Sequence, residues 1–394
     1  MITLVDNTLR EGEQTPGVAL SVRDKMELAA ALVESGINFL DGALPESFAD
    51  EKEFLRLASR EFPDLRLGAS TRLIRDSILR ARDNGAGEVF VIVPISDVHL
   101  EKRLKIDRNT LLERMETQLA SVATQVSINI ALEDAFRASP EFLIRTVQKA
   151  RELGAARVFL SDTVGMVAPW QVEPVVRAVS MTAGGDLGIG THFHNDMGLA
   201  LANTLAAIRA GATFPTAALN GLGERAGNTD IMHLAATVRF LLDEDPQVDL
   251  PTLRKAAALA MKKTGILVAQ NTPITGHNAF RHTSGMHVHG WLEDRETYEG
   301  IAPKEVGAQA QLVLGKHSGR AHLRHLLGAA GKLPEDQLDT LLRQVKRLCV
   351  GEGKEERIAG IIDNFQQFNN EVLGICETQF EQLVKAVVDA VDDS

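Results

Sequence analysis

The chain reads as an α/β protein, a closed (β/α)8 TIM barrel followed by a small, mainly helical C-terminal region. Three observations predict this: eight short apolar runs, helical patterns between most of them, and a repeat close to the roughly 30 residues of a parallel βαβ unit. The runs lie at 2–5, 37–40, 65–67, 88–93, 126–130, 156–160, 187–191 and 214–219. An open doubly wound sheet uses the same units, but no GxGxxG follows the first run and eight repeats favour closure.

The helices follow from caps and stripes. Ser21 is placed to cap VRDKMELAAALVES, with Met26, Ala29, Ala30 and Val33 as an apolar stripe and Gly36 as the stop. Ser70 or Thr71 is expected to cap the segment ending near Gly85. Further helical patterns cover 107–122, 141–153, 171–180 and 198–210. After the eighth unit the Gly/His-rich stretch 265–290 breaks the rhythm, and 334–348 and 354–368 read as helices. The expected organisation is a catalytic barrel over 1–265, a linker and active-site-covering subdomain over 266–330, and a small helical subdomain over 331–394.

The 394 residues include 42 Lys+Arg against 53 Asp+Glu, a net charge of −11, and no basic tract, so a nucleic-acid partner is not expected. Cys349 and Cys376 are the two cysteines; they lack metal-ligand spacing, and a cytoplasmic redox setting is expected. MITLVDNTLREGEQ lacks a basic-then-apolar leader pattern and no run of about 20 apolar residues follows, so no membrane partner is expected.

Chemistry concentrates where strands should end. In THFHND, His192 and His194 have the two-residue spacing that turns both side chains to one side of a strand, where they share either a metal ion or a polar barrel-end network. DNTLREGEQ supplies Arg10 and Glu11 directly after the first run. All strand ends of a barrel open on one face, so Glu11 is the best carboxylate to join the two histidines. Arg10 either grips a substrate oxygen or closes an ion pair at the mouth. Asp41 follows the second run. Glu133 is equally a proton acceptor or a helix-starting carboxylate, and Asn129 either selects an oxygenated substrate end or closes a backbone network. Thr163 in SDTVG is a hydrogen-bond donor to a carboxylate, and Asn228 in GLGERAGN supports a metal or caps the next helix. GHNAFRHTSGMHVHG, with Tyr298 soon after, is too histidine-rich for an ordinary turn; it covers the barrel mouth, reaches a partner's mouth, holds a second metal or forms a polar interface.

DNTLREGEQTPG, SDVHLEKRL, LEDAFR, SDTVG, THFHNDMGLALANTLAAIRAGA, NGLGERAGN, SGMHVHG and GKHSGR, in this order, resemble the isopropylmalate synthase/homocitrate synthase family of metal-dependent acyltransferases. The resemblance spans most of the chain. It implies a divalent metal, Mn2+ or Mg2+ first and Zn2+, Co2+ or Fe2+ as alternatives, held by Glu11, His192 and His194 with support from Asn228. It implies Arg10 as the catalytic arginine, Glu133 in proton transfer, Thr163 on the oxo acid's carboxylate, and Ser96 and His99 on the substrate side of the pocket. His287 and Tyr298 resemble a pair that reaches the active site from the other subunit, which implies a homodimer. The implied reaction is condensation of acetyl-CoA with a 2-oxo acid. Chain length favours the compact homocitrate-forming branch with 2-oxoglutarate as acceptor, serving nitrogen fixation or lysine-type amino-acid biosynthesis.

Three departures bear on the acceptor. Asn129 stands where lysine-pathway relatives carry an arginine for the distal carboxylate, Asp41 replaces a glutamate before an unusual ALPES turn, and Phe136 and His277 differ from the common pattern. They leave room for pyruvate, 2-oxoisovalerate or an acceptor bearing a phosphorus acid group. A hydroxyacyl-CoA lyase would share the metal site but usually lacks SGMHVHG and GKHSGR.

Overall fold

The computed structural model describes residues 2–328, 333–351, 355–356, 358–364 and 380–385, and the chain divides into two compact units, Met1–Leu267 and Val268–Ser394. In the first unit, among the described residues, eight parallel strands close in chain order. They are β1 (Val5–Asp6), β2 (Phe39–Ala43), β3 (Arg66–Arg72), β4 (Glu88–Pro94), β5 (Ser127–Glu133), β6 (Arg157–Asp162), β7 (Gly188–Phe193) and β8 (Phe214–Ala217). The pairs Val5↔Thr216 and Asp6↔Ala217 close the ring. Helices α1 (Val22–Glu34), α2 (Ala49–Glu61), α3 (Arg75–Asp83), α4 (Arg108–Leu119), α5 (Pro140–Glu152), α6 (Pro169–Ala183) and α7 (Ala200–Arg209) alternate with the strands; α8 (Ile231–Phe240) and α9 (Leu250–Thr264) follow β8.

Ser21 caps α1 as its sequence indicates: its side chain accepts from Asp24 N while the Asp24 carboxylate accepts from Ser21 N. The buried face of α1 is Lys25, Leu28, Ala29 and Leu32, so the expected stripe is rotated and only Ala29 is common to both. Ser70 and Thr71 do not cap a helix. They pair with Phe90 and Val91 inside the sheet, and α3 begins at Arg75. The strands run past their apolar runs because backbone pairing continues to the rim, where the inward side chains turn polar: Asp41, Glu133, Ser161 and His192 are all strand residues.

The lower barrel is filled. Phe39, Phe90 and Phe159 form a buried cluster with Val5, and Phe90 and Phe159 meet edge to face at 5.1 Å between ring centroids. Towards the N-terminal ends of the strands, Glu88 accepts from Arg66 Nη2 at 2.6 Å, Arg157 Nη1 at 3.0 Å and Asn129 Nδ2 at 2.9 Å. The two guanidinium groups lie over Phe39 and Phe214, at 3.9 Å and 4.6 Å from the ring centroids. This plug confines open space to the opposite rim. Gly190 is required for it, since a Cβ there would sit 2.2 Å from Phe159 Cδ1.

In the second unit, β9 (Arg281–His282) pairs in parallel with β10 (Gln311–Leu312), beside α10 (Gly285–Glu293), α11 (Arg320–Leu327) and α12 (Glu335–Val350). The helix expected over 354–368 is present at 355–356 and 358–364; the rest of that segment lies outside the described residues. Among the described residues, no helix is long and apolar enough to cross a membrane.

Gly190→Ala should cost about 1–3 kcal/mol in urea unfolding by forcing Phe159 from its place; an unchanged midpoint would show that the ring yields freely. A second prediction concerns Asp6, which is buried and accepts from Thr8 N at 2.9 Å and Thr8 Oγ1 at 2.8 Å. Burial raises its pKa from 3.8 to about 7. Between those values the unfolded chain has ionised Asp6 while the folded one keeps it protonated, so its effect is to lower stability as pH rises from about 4 to about 7. In metal-free protein, Asp6→Asn should therefore lose less stability than the parent between pH 5 and pH 8; equal losses would contradict the shift.

Candidate metal centre

The C-terminal ends of the strands open on a cavity of about 250 Å³. Arg10, Glu11 and Gln14 enter from the loop after β1, Asp41 from β2, Ser70 from β3, Glu133 from β5, and Ser161 and Thr163 from β6 and its turn. His192 and His194 come from β7 and the residue beyond it, Thr216 from β8, and Glu224 and Arg225 from the following loop. Phe90, Ile92, Ala131 and Phe159 supply its apolar lining.

Alternation along β7 sends Phe193 outward and both histidines inward. His194 lies just past the ladder, where it bridges to Asn228. The two Nε2 atoms are 3.3 Å apart, Glu11 Oε1 is 3.7 Å from His194 Nε2, and one ligand atom from each residue lies within 4.8 Å of the others. Among the described residues this is the single His/Cys/Asp/Glu cluster with such geometry. His192 Nδ1 lies 2.9 Å from Thr216 Oγ1; donation to that oxygen leaves the Nε2 lone pair facing the cluster.

Electrostatics suit a cation. Burial, reinforced by His194, lowers the His192 pKa to about 3, and burial also lowers that of His194, so both imidazoles are neutral donors. Burial alone would raise Glu11, but the Arg10 guanidinium beside it overcomes this and holds the carboxyl below its ordinary range. One ionised carboxylate with two neutral imidazoles, all buried, fits a divalent ion of the Mn2+, Fe2+, Co2+ or Zn2+ type. Asn228 Oδ1 is buried and lacks a hydrogen-bond partner among the described residues, as an acceptor reserved for such an ion or its water would be.

Arg10 is locked between two acids. It donates through Nε to Asp41 Oδ2 at 2.8 Å and pairs through Nη1 with Glu11, while Asp41 also accepts from Ser70 Oγ at 2.9 Å. Asp41 therefore orients Arg10 as well as lining the cavity. Thr163 Oγ1 accepts from Asp134 N at 2.9 Å, which leaves its proton for a ligand. Glu133 takes Arg103 Nη1 on Oε1 at 2.6 Å, and its buried Oε2 has no partner among the described residues.

Other sequence-selected residues lie elsewhere. Ser96 is fully buried and His99 stands behind Glu133, with Nδ1 3.5 Å from Glu133 Oε1, on the π-helical turn His99–Leu104; neither lines the cavity. Asn129 is not at the mouth either. It is bound to Glu88 and Arg157 towards the strands' N-terminal ends, because the aromatic cluster intervenes. His287 and Tyr298 belong to the second unit, where their rings stack at 4.1 Å.

Thr216, Gln14 and Arg225 line the cavity without having been singled out from sequence. Arg225 clasps Asp196 through Nε at 2.7 Å and Nη2 at 2.9 Å and donates to the Thr163 carbonyl at 2.8 Å, tying three rim loops together. Its place inside GLGERAGN was the available signal.

A family model described as HMGL-like matches residues 1–260, and one described as homocitrate synthase post-HMGL domain-like matches 274–352. A probable 2-isopropylmalate synthase of Methanopyrus kandleri is 36% identical over 88% of this chain and 70% of its own length. A 2-phosphonomethylmalate synthase of Streptomyces rubellomurinus is 35% identical over 93% of this chain and 96% of its own. The homocitrate synthase AksA of Methanopyrus kandleri is 35% identical over 88% and 87%. Among solved structures, an HMG-CoA lyase of Bacillus subtilis superposes with a TM-score of 0.61 at 23% identity, covering 68% of this chain and 96% of the lyase, which is a likeness of fold. With two thirds of its length matched by the family model and the buried trio in place, the chain belongs to the HMGL-like family.

Proposed function

We propose that the chain condenses acetyl-CoA with a 2-oxo acid in a Claisen-type reaction. The observation that carries this reading is the convergence of Glu11, His192 and His194 beside a locked Arg10 in a cavity of small-molecule size. A divalent ion, Mn2+ or Mg2+ by preference, would be held by Glu11, His192 and His194 and would supply Lewis acidity to the acceptor's keto group.

The chain's own residues do the rest. The free acceptor oxygen and available proton set Glu133 and Thr163 apart in role: Glu133 Oε2 removes a methyl proton from the thioester, and Thr163 Oγ1 donates to the acceptor carboxylate. The new carbon–carbon bond converts the keto oxygen to an alkoxide, whose charge faces Arg10 before it is protonated. Water then cleaves the thioester, releasing CoA thiol and a carboxylate. His287 and Tyr298 are assigned to proton handling, supplied by the other copy of a homodimer, on the strength of the motif resemblance.

Two acceptors follow from different observations. Similarity to a homocitrate synthase supports 2-oxoglutarate and a homocitrate product in amino-acid biosynthesis or nitrogen fixation. The position of Asn129 supports the second: no strand-5 cation reaches the cavity, and Ala131, Phe90 and Phe159 line it instead. That lining suits a shorter or differently ended acceptor, such as pyruvate, 2-oxoisovalerate or a 2-oxo acid with a phosphorus acid group. The similarity to a 2-phosphonomethylmalate synthase, over 93% of this chain and 96% of that protein, agrees with the last of these.

CoA-thiol release, with product masses, should identify one preferred 2-oxo acid from such a panel in the presence of Mn2+; release with none of them would overturn the condensation reading. Glu11→Ala and His192→Ala should each lower turnover about 10²-fold or more. Near-parental rates in both, after metal removal and Mn2+ restoration, would contradict their ligand roles.

A further inference from the structure

Lys25 is a buried ammonium outside the cavity, in the first turn of α1, and the chemistry above makes no use of it. Its Nζ lies 2.6 Å from Glu13 Oε2 and pairs with Glu51 Oε1. The remaining oxygens are also committed: Glu13 Oε1 accepts from Leu20 N at 2.8 Å, and Glu51 Oε2 accepts from Leu44 N at 2.7 Å. One cation thereby ties together the loop after β1, the start of α1 and, through Glu51 in the first turn of α2, the loop between β2 and α2. An enclosed ion group is no better for stability than well-packed apolar side chains, so its use here asks for a positional reason.

The two loops it joins build one wall of the cavity. Arg10, Glu11 and Gln14 come from the first, and Leu44 from the second, directly after the strand carrying Asp41. On the cavity side the wall is stitched by Arg10 and Asp41. Lys25 stitches it again from behind. Two separated ties fix a loop's orientation, whereas one leaves a pivot. His192 needs neither tie, because it is held in the ladder by pairing with Ser161 on β6.

We infer that the Lys25–Glu13–Glu51 triad is a positioning unit that holds Glu11, one of the three metal ligands, at the distance set by the histidines on β7. This rests on the metal-centre reading and is independent of the acceptor. Outer partners that orient a metal ligand are as consequential as the ligand's own chemistry.

The test uses the full chain freed of metal and titrated with Mn2+ alone by calorimetry, alongside the visible absorption spectrum of the Co2+ form. Lys25→Met should raise the Mn2+ Kd about tenfold or more, within the range for lost outer-shell support. Its Co2+ spectrum should move toward that of Glu11→Ala, a change that general loosening of the fold would not produce, with circular dichroism as in the parent. A Kd within about twofold of the parent and an unaltered Co2+ spectrum would overturn the inference. Should Lys25→Met fail to fold, Glu13→Gln keeps the Leu20 bond and removes one ion pair; a Kd raised about threefold supports the triad's role, and an unchanged Kd overturns it. If the parent itself binds no Mn2+, the metal-centre reading falls, and the positioning role with it.

Discussion

A parallel barrel delivers the ends of all its strands to one rim, and that constraint governs this molecule. Residues far apart in the chain, Glu11 after β1 and the His192–His194 pair on β7, meet there without any local sequence relation. The same geometry forces a division of labour along the barrel axis. Below, Phe39, Phe90 and Phe159 and the Glu88, Arg66 and Arg157 network fill the interior. Above, polar side chains face one another across open space.

Bringing charge and imidazole into that rim has an electrostatic cost, and the structure offsets it by pairing. Arg10 is shared by Glu11 and Asp41, Asp41 is steadied by Ser70, and Arg225 is neutralised by Asp196. The histidines meet burial by remaining neutral, which is the form that donates to a metal. At the rim, Glu133 Oε2 and Asn228 Oδ1 stay uncommitted, buried acceptors with no hydrogen-bond partner among the described residues, as are Asn84 Oδ1 and Asn203 Oδ1 away from it.

Much of this is legible in the sequence, for definite reasons. The barrel is, because eight units repeat at near-constant spacing, and the convergence of the buried Glu11, His192 and His194 is, because HxH has the period of a strand and Glu11 follows another strand's end. Strand ends are less legible: hydrophobicity stops where the interior turns polar, while backbone pairing continues through Asp41, Ser70, Glu133 and His192. Asn129 misleads because position along a strand sets depth in the barrel, and depth depends on which aromatic rings lie above it. Lys25 is opaque for a related reason. A lysine in an amphipathic helix reads as solvent-facing, and its burial depends on Glu13 arriving from the loop after β1 and Glu51 from the first turn of α2.

Pulsed electron paramagnetic resonance of the Mn2+-loaded full chain tests the convergence of the trio most directly, since it detects nitrogen nuclei bonded to the ion without reference to turnover. Couplings from two imidazole nitrogens are expected, with one lost in His192→Ala and one in His194→Ala. A spectrum showing only water and carboxylate oxygen around Mn2+, unchanged by either substitution, would contradict the shared centre.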